Sequence, residues 1–228
     1  MIISHKYKFI FIKTRKTAGT SIEVFLSEHC DEKDILTPVR PVVESHKARN
    51  YMGIWNPARE LRTRGVKEAK LTVHDLLRRR KFYNHIPALI VRERISKKMW
   101  NSYFKFCVER NPWDKTLSHY SMMKDRNGGD LNFEEYLAKG DFCINYPLYT
   151  DRKKKVIVDH IIKYEDLNQE LSAIFGTLGI PFEGQLAVKA KSNHRSDKRP
   201  YRKVYTEAQR RIIEKAFQHE IKLLDYQY

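Results

Sequence analysis

One local pattern limits what this chain can become: a short β run that passes straight into a polar turn and then an amphipathic helix. Lys8-Phe9-Ile10-Phe11-Ile12 is rich in residues that favour a pleated, buried strand. It lies so close to residue 1 that no leader domain is expected ahead of it. Residues 13–19 form the polar turn, and Ile22, Phe25 and Leu26 then mark one helix face. Thr20 and Glu23 have the spacing of a capping box at the start of that helix. The pattern returns at Phe104-Lys105-Phe106-Cys107-Val108, which runs into Glu109-Arg110-Asn111-Pro112-Trp113-Asp114. Asn111 suits an N-cap, Pro112 the first helical position, and Asp114 the positive end of the helix dipole. A third β run, Val156 to Ile162, precedes a helix striped by Leu167, Leu171, Ile174, Phe175 and Leu178 and stopped by Gly179 and Pro181. Strands alternating with helices predict an α/β fold: one domain over 1–228, with a central, mostly parallel sheet flanked by helices.

Other segments are less regular. Pro38, Pro41, Gly53, Pro57 and Gly65 punctuate residues 31–70, which read as loops with short helical pieces. Residues 71–81 end in the basic run Arg78-Arg79-Arg80-Lys81, read as a solvated helix face. Residues 87–100 read as a helix with Pro87 in its first turn. Residues 124–130 read as a loop, and residues 189–203, dense in Lys, Arg, Ser and Asn, as a surface loop. Thr206 and Gln209 resemble a capping box, after which Ile212, Ile213, Phe217, Ile221 and Leu224 stripe a C-terminal helix.

With 41% hydrophobic and 12% aromatic residues the chain can bury a core, which argues against long-range disorder. Its formal charge of +16 points to an anionic partner, such as nucleic acid, acidic membrane, nucleotide or acidic polysaccharide, without choosing among them. The three cysteines, Cys30, Cys107 and Cys143, are widely spaced, with neither a CxxC pair nor a zinc-ligand spacing. That suits a reducing compartment, and a cytoplasmic location is expected. No apolar run approaches the roughly 20 residues of a membrane span.

Residues 13–21, Lys-Thr-Arg-Lys-Thr-Ala-Gly-Thr-Ser, sit between a strand and a helix, where free backbone N–H groups and the helix dipole bind anions. Small residues at 18–21 let the backbone approach a phosphate. Thr20 and Ser21 add hydroxyls, and Lys16 adds charge. The loop is not that of a nucleotide triphosphatase, whose GxxxxGK[ST] pattern is absent here. Arg110 closes the second strand, and Ser118 lies almost two turns into the following helix. An arginine fork with a nearby hydroxyl is a second anion-binding arrangement.

Taken together, FIFIKTRKTAGTSIE (9–23) resembles the 5′-phosphosulfate loop, and FKFCVERNPWDKTLSHY (104–120) the 3′-phosphate element, of sulfotransferases that use 3′-phosphoadenosine 5′-phosphosulfate (PAPS). The likeness is to the carbohydrate branch, which includes the heparan 2-O-sulfotransferases and many short microbial proteins. Tyr83-Asn84-His85-Ile86-Pro87-Ala88 resembles that branch's histidine segment. Ile162-Lys163-Tyr164-Glu165-Asp166-Leu167 is similar to its strand end near the adenine. The basic loop with Asn193 and Arg195, followed by Tyr201, looks like the late loop that closes over the nucleotide.

The resemblance implies a P-loop-like sulfotransferase fold. It implies transfer of a sulfuryl group from PAPS to a hydroxyl, of a glycan in this branch, with PAP (the desulfated nucleotide) as product and no metal. Lys16 would contact the bridging or sulfuryl oxygens. Arg15, Thr17, Ala18, Gly19, Thr20 and Ser21 would hold the 5′-phosphate, and Arg110 and Ser118 the 3′-phosphate. Tyr164 would lie by the adenine, Asn193 and Arg195 would hold the nucleotide from the late loop, and His85 would be the general base. Two departures bear on His85: residues 66–81 look like an insertion, and Pro87 replaces a small polar residue. His74, beside Asp75, is the main rival base; His46 and Glu23 are lesser ones. An acidic glycan would suit the surplus charge, with Lys and Arg of 59–81 and 189–203 as its track. Two other classes compete: a kinase-like phosphoryl transferase, which should need magnesium and carboxylates, and a nucleic-acid-binding module, for which no known motif appears.

Overall fold

A computed structural model describes residues 1–40, 42–186 and 199–228. The chain begins with β1 (Ile2–Ser4), β2 (Phe9–Ile12), α1 (Gly19–His29) and β3 (Ile35–Leu36). Four helices follow: α2 (Ala58–Thr63), α3 (Val66–Leu77), α4 (Ala88–Arg94) and α5 (Lys97–Ser102). Then come β4 (Phe104–Glu109), α6 (Pro112–Arg126), α7 (Phe133–Lys139), α8 (Tyr146–Tyr149) and β5 (His160–Lys163). The last helices are α9 (Leu167–Leu178), α10 (Glu207–Ala216) and α11 (Gln218–Leu224).

The strands order as β3-β1-β2-β4-β5. β2, β4 and β5 are parallel, with Phe11 opposite Phe106 and Cys107 opposite Ile161. Alternation sends successive side chains to opposite faces. Phe9, Phe11, Phe106, Val108 and Ile162 pack against Ile22 and Leu26 of α1 and Leu171 and Phe175 of α9. On the other face Ile10, Ile12 and Cys107 meet Phe82, Ile86, Val91, Trp100 and Tyr149. A further apolar cluster joins Trp113, Tyr136 and Leu137 to Ile213 and Phe217. Both sheet faces are therefore covered, which is why the strands read as unbroken hydrophobic runs. This is the expected α/β architecture.

The details differ in instructive ways. The sheet is mixed: β1 pairs antiparallel with both β2 and β3. Its three residues are too few to show a period, and the turn back to β2 needs only residues 5–8, with Lys8 at φ 53°. Val156 makes just an isolated bridge to Thr150, so the third predicted strand joins the sheet only from His160. Residues 87–100 form two helices, because Ser96 caps α5 by accepting the Met99 N–H. The C-terminal stripe likewise breaks at Phe217, while the Thr206–Gln209 capping box forms. Residues 66–77 of the presumed insertion are a full helix.

The expected Thr20–Glu23 capping box does not form. The N-cap is Ala18, in a left-handed conformation, and Thr20 and Glu23 lie inside the helix. Glu23 is turned inward, where it holds Lys13 Nζ at 2.5 Å and the Met1 amino group. Burial alone would raise its carboxyl pKa, but these two cations outweigh burial and hold it low.

Candidate active site

Four segments far apart in sequence converge beyond the C-terminal ends of β2, β4 and β5, the edge where open α/β sheets bind ligands. The first is the loop 13–18. Lys13 crosses the start of α1 to reach Glu23, and it can do so only because residue 19 is glycine. A Cβ there would stand 2.8 Å from Lys13 Cγ. The Thr14 hydroxyl donates to the Val108 carbonyl of β4 and lies 2.8 Å from the Thr17 hydroxyl. The Arg15 peptide is gripped from both sides by the Asn145 amide: Arg15 N–H donates to Oδ1 at 2.9 Å, and Nδ2 donates to the Arg15 carbonyl at 3.0 Å.

Between these anchors Lys16 and Ala18 take φ of 62° and 57°. Each such non-glycine residue costs about 1–3 kcal/mol and persists only where its surroundings force it. Left-handed residues alternating with ordinary ones turn consecutive N–H groups inward, an anion-binding concavity. Ile22 N–H makes the first bond of α1, to the Ala18 carbonyl at 3.1 Å, so the N–H groups of 19–21 have no acceptor within the helix. The strained loop thus runs into the first turn of α1 with Lys16 between them, its side chain half-buried.

The second segment follows β4. Arg110 forks onto Asp114 at 2.9 and 2.5 Å, and its third nitrogen reaches the Lys16 carbonyl at 3.4 Å. Its guanidinium lies 4.3 Å over the Tyr164 ring, which brings in the third segment, after β5. Ser118 is one helical turn past Asp114 on α6 and shares its face. As expected from sequence, Asn111 caps α6 through Trp113 N–H and Asp114 N–H at 3.2 and 3.4 Å. Its amide reaches the Tyr201 hydroxyl at 3.3 Å, so Tyr201, stacked on Trp113, borders the same region.

His85 is the fourth. It sits at φ 56°, with Nδ1 3.0 Å from the Lys13 carbonyl. A carbonyl only accepts, so Nδ1 carries the proton and Nε2 keeps its lone pair. Burial first, then the charge of Lys13, lower its pKa from 6.5 to about 4. It is therefore neutral at pH 7, with its Nε2 unprotonated.

Below the loop lies a buried charge cluster. Glu109, fully buried, accepts from Arg110 N–H at 2.9 Å, Lys115 Nζ at 2.6 Å, Asn145 Nδ2 at 3.2 Å and the Tyr149 hydroxyl at 3.3 Å. A buried carboxylate satisfied this fully is a rigid support.

The structure thus brings together Arg15, Lys16, Thr17, Ala18, Gly19, Thr20, Ser21, His85, Arg110 and Tyr164, with Ser118 a turn away. Asn193 and Arg195 lie outside the described residues. The rival bases fare less well. His74 is exposed on α3, 3.9 Å from an Asp75 carboxylate that Arg80 and Arg94 also occupy. His46 spends Nε2 on the Thr37 carbonyl. Glu23 is fully buried between two cations.

Two residues here escaped the sequence reading. Asn145 has no local signal, because its partner is 130 positions away. His119, on α6, lies 2.8 Å from the Tyr136 hydroxyl; burial and then the charge of Lys16 lower its pKa to about 4.

Comparison with known proteins adds one close relative. An uncharacterised protein of Archaeoglobus fulgidus is 37% identical over 118 residues, 48% of this chain and 98% of that protein. The chain belongs to the family of that archaeal protein. No protein-family model matches it. Among solved structures, a sulfotransferase from Alicyclobacillus acidocaldarius aligns with 96% of this chain and 98% of its own, at a TM-score of 0.41 and 18% identity. Among the described residues no helix is long and apolar enough to cross a membrane.

Proposed function

We propose that the protein is a sulfotransferase that moves a sulfuryl group from PAPS to a hydroxyl group, with a carbohydrate as acceptor. The observation that carries this reading is the meeting of the loop 13–18 with Arg110. A strained, N–H-rich loop and a guanidinium are joined at the Lys16 carbonyl, so two anion-binding elements stand side by side. A nucleotide with phosphates at both its 5′ and 3′ positions needs two such elements.

The residues present fit that nucleotide. The loop N–H groups and the hydroxyls of Thr20 and Ser21 would hold the 5′-phosphate. Arg110 and Ser118 would hold the 3′-phosphate, and the Tyr164 ring would lie beside the base. Asn193 and Arg195 would join from the late loop. Bound PAPS supplies the activated sulfuryl group, and PAP is left behind.

The chain's own residues supply the rest. Lys16 places positive charge where the leaving phosphate gains negative charge, and in this reading no metal takes part. The loop fixes the donor in line with the acceptor, worth several kcal/mol of lost motion. His85 accepts the acceptor's proton at Nε2, while the Lys13 carbonyl holds the ring in the tautomer that leaves Nε2 free. The surplus positive charge suits an acidic glycan.

The test is calorimetric titration with PAP in the absence of magnesium, with adenosine 5′-phosphate as control. Binding that depends on the 3′-phosphate supports the reading. If PAP does not bind while ATP with magnesium or a nucleic acid does, the reading is wrong.

A further inference from the structure

Helix α3 is amphipathic in reverse. Its inward side is polar: Thr72 and Asp75 are 1% and 4% exposed. The Thr72 hydroxyl donates to Glu60 at 3.0 Å and accepts from Arg64 at 3.1 Å. Asp75 accepts from Arg94 at 3.1 Å, and Arg94 also grips both Glu60 oxygens at 2.8 and 3.0 Å. These ion pairs tie the helix to α2 and α4 without using its apolar residues.

Those residues face outward. Val66, Val73 and Leu77 are 77%, 45% and 80% exposed, and the spacing i, i+7, i+11 puts them on one stripe. Lys70 lies within the stripe, Lys67 and His74 lie along one side of it, and Arg78 and Arg79 follow directly after the helix; all are exposed. Of the two acidic residues of α3, Asp75 is buried and Glu68 folds back to the helix start, 2.9 Å from where a Gly65 side chain would begin. Glu68 is exposed there, on the Thr72 and Asp75 side of the helix, so the stripe from Lys70 to Leu77 presents apolar and cationic groups.

We infer that α3 is a docking face for an anionic lipid surface. A stripe of aliphatic residues flanked by Lys and Arg is the composition that settles into the headgroup region of acidic membranes, with the long cationic stems reaching the phosphates. A second copy of the chain fits less well. Twelve residues make a helix of about 18 Å, whose single face falls far below the roughly 800 Å² per partner of a stable protein interface. On this inference the region that resembles an insertion ahead of His85 is a membrane-contacting element, and it stands whether or not the enzymatic proposal does.

The experiment is sedimentation of the full chain with phosphatidylcholine vesicles, with and without phosphatidylserine, at physiological salt. Three double variants are compared: Val73→Ser with Leu77→Ser, Lys67→Glu with Lys70→Glu, and Lys153→Glu with Lys155→Glu as an equal charge change elsewhere. Circular dichroism checks that each stays folded. Binding only to the acidic vesicles is expected, weakened by about tenfold in each of the first two variants and by less than about threefold in the third. Unchanged binding by the serine variant would overturn the inference, as would equal losses from both glutamate variants. A stable dimer of the parent that the serine variant abolishes would assign the stripe to self-association instead.

Discussion

Asn145 and Arg15 are joined by a two-way amide clamp: Asn145 Oδ1 takes the Arg15 N–H at 2.9 Å, and Asn145 Nδ2 gives to the Arg15 carbonyl at 3.0 Å. The clamp satisfies both polar groups of Arg15 and so sets the direction of the peptide before Lys16. Asn145 Nδ2 also touches Glu109 at 3.2 Å, so the loop is registered against the buried charge cluster.

Asn145→Asp should therefore do more harm than Asn145→Ala. Alanine leaves buried polar groups unpaired, at about 1–3 kcal/mol. Aspartate removes the Nδ2 donor and sets a second carboxylate against Glu109, an uncompensated buried charge of roughly 3–5 kcal/mol. Thermal unfolding should rank them parent, Ala, Asp, and PAP affinity should fall about tenfold in the alanine variant as the cradle loosens. Alanine and aspartate variants that melt alike and bind PAP as the parent does would refute the clamp.

His85 yields a prediction with a definite sign. Its folded pKa of about 4 lies below the ordinary 6.5, so between those values the unfolded chain binds more protons. Stability should rise with pH through that window and be lost as pH falls from 6.5 toward 4. His119 adds a second contribution of the same sign. His85→Asn keeps a residue type that tolerates positive φ and can donate to the Lys13 carbonyl. Its stability should vary less steeply with pH from 4 to 6.5. Sulfuryl transfer should drop roughly 10²–10⁴-fold with little change in PAP affinity. Loss of PAP binding in step with activity would make His85 a support of the loop rather than a base.

The parallel part of the sheet and the turns after β2 and β4 were legible because each strand-to-helix junction carries its own local chemistry. Asn111 and Pro112 announce α6 unaided, and the aromatic and β-branched run Phe9 to Ile12 favours a buried strand. Anything fixed by distant partners was hidden. Glu23 had the spacing of a cap, but the cations that claim it come from residues 1 and 13. Nothing near Asn145 marks it as the loop's clamp. α3 was hard to read because its apolar positions face outward while its buried ones, Thr72 and Asp75, are polar and held by Arg64 and Arg94. Periodicity assumes the opposite.

Arg110 separates charge from geometry. Its fork is committed to Asp114, its plane to Tyr164 and its third nitrogen to the Lys16 carbonyl. Lysine keeps the charge but neither the fork nor the flat face. Arg110→Lys should lose most of the PAP affinity that Arg110→Ala loses, a drop of about 10–100-fold for a charge-assisted contact, while binding of adenosine 5′-phosphate changes little. Full retention by the lysine variant would reduce Arg110 to a point charge.

Gly19 is a matter of space. Its backbone is ordinary, yet a Cβ would lie 2.8 Å from Lys13 Cγ and 3.3 Å from the Thr14 carbonyl oxygen. Cγ is near the root of the lysine chain and cannot swing aside without pulling Nζ from Glu23. Gly19→Ala should cost about 1–3 kcal/mol, the usual range for overpacking, which lowers Tm by roughly 2–12 °C in a chain of this size. Gly176, exposed in α9 with nothing within 4 Å of its added Cβ, is the matched control. Gly176→Ala should raise Tm, by about 0.5–1 kcal/mol of stability, as alanine does in a helix interior. If both substitutions stabilised the protein equally, Lys13 would not be threaded past Gly19, and the support proposed for the loop would fail with it.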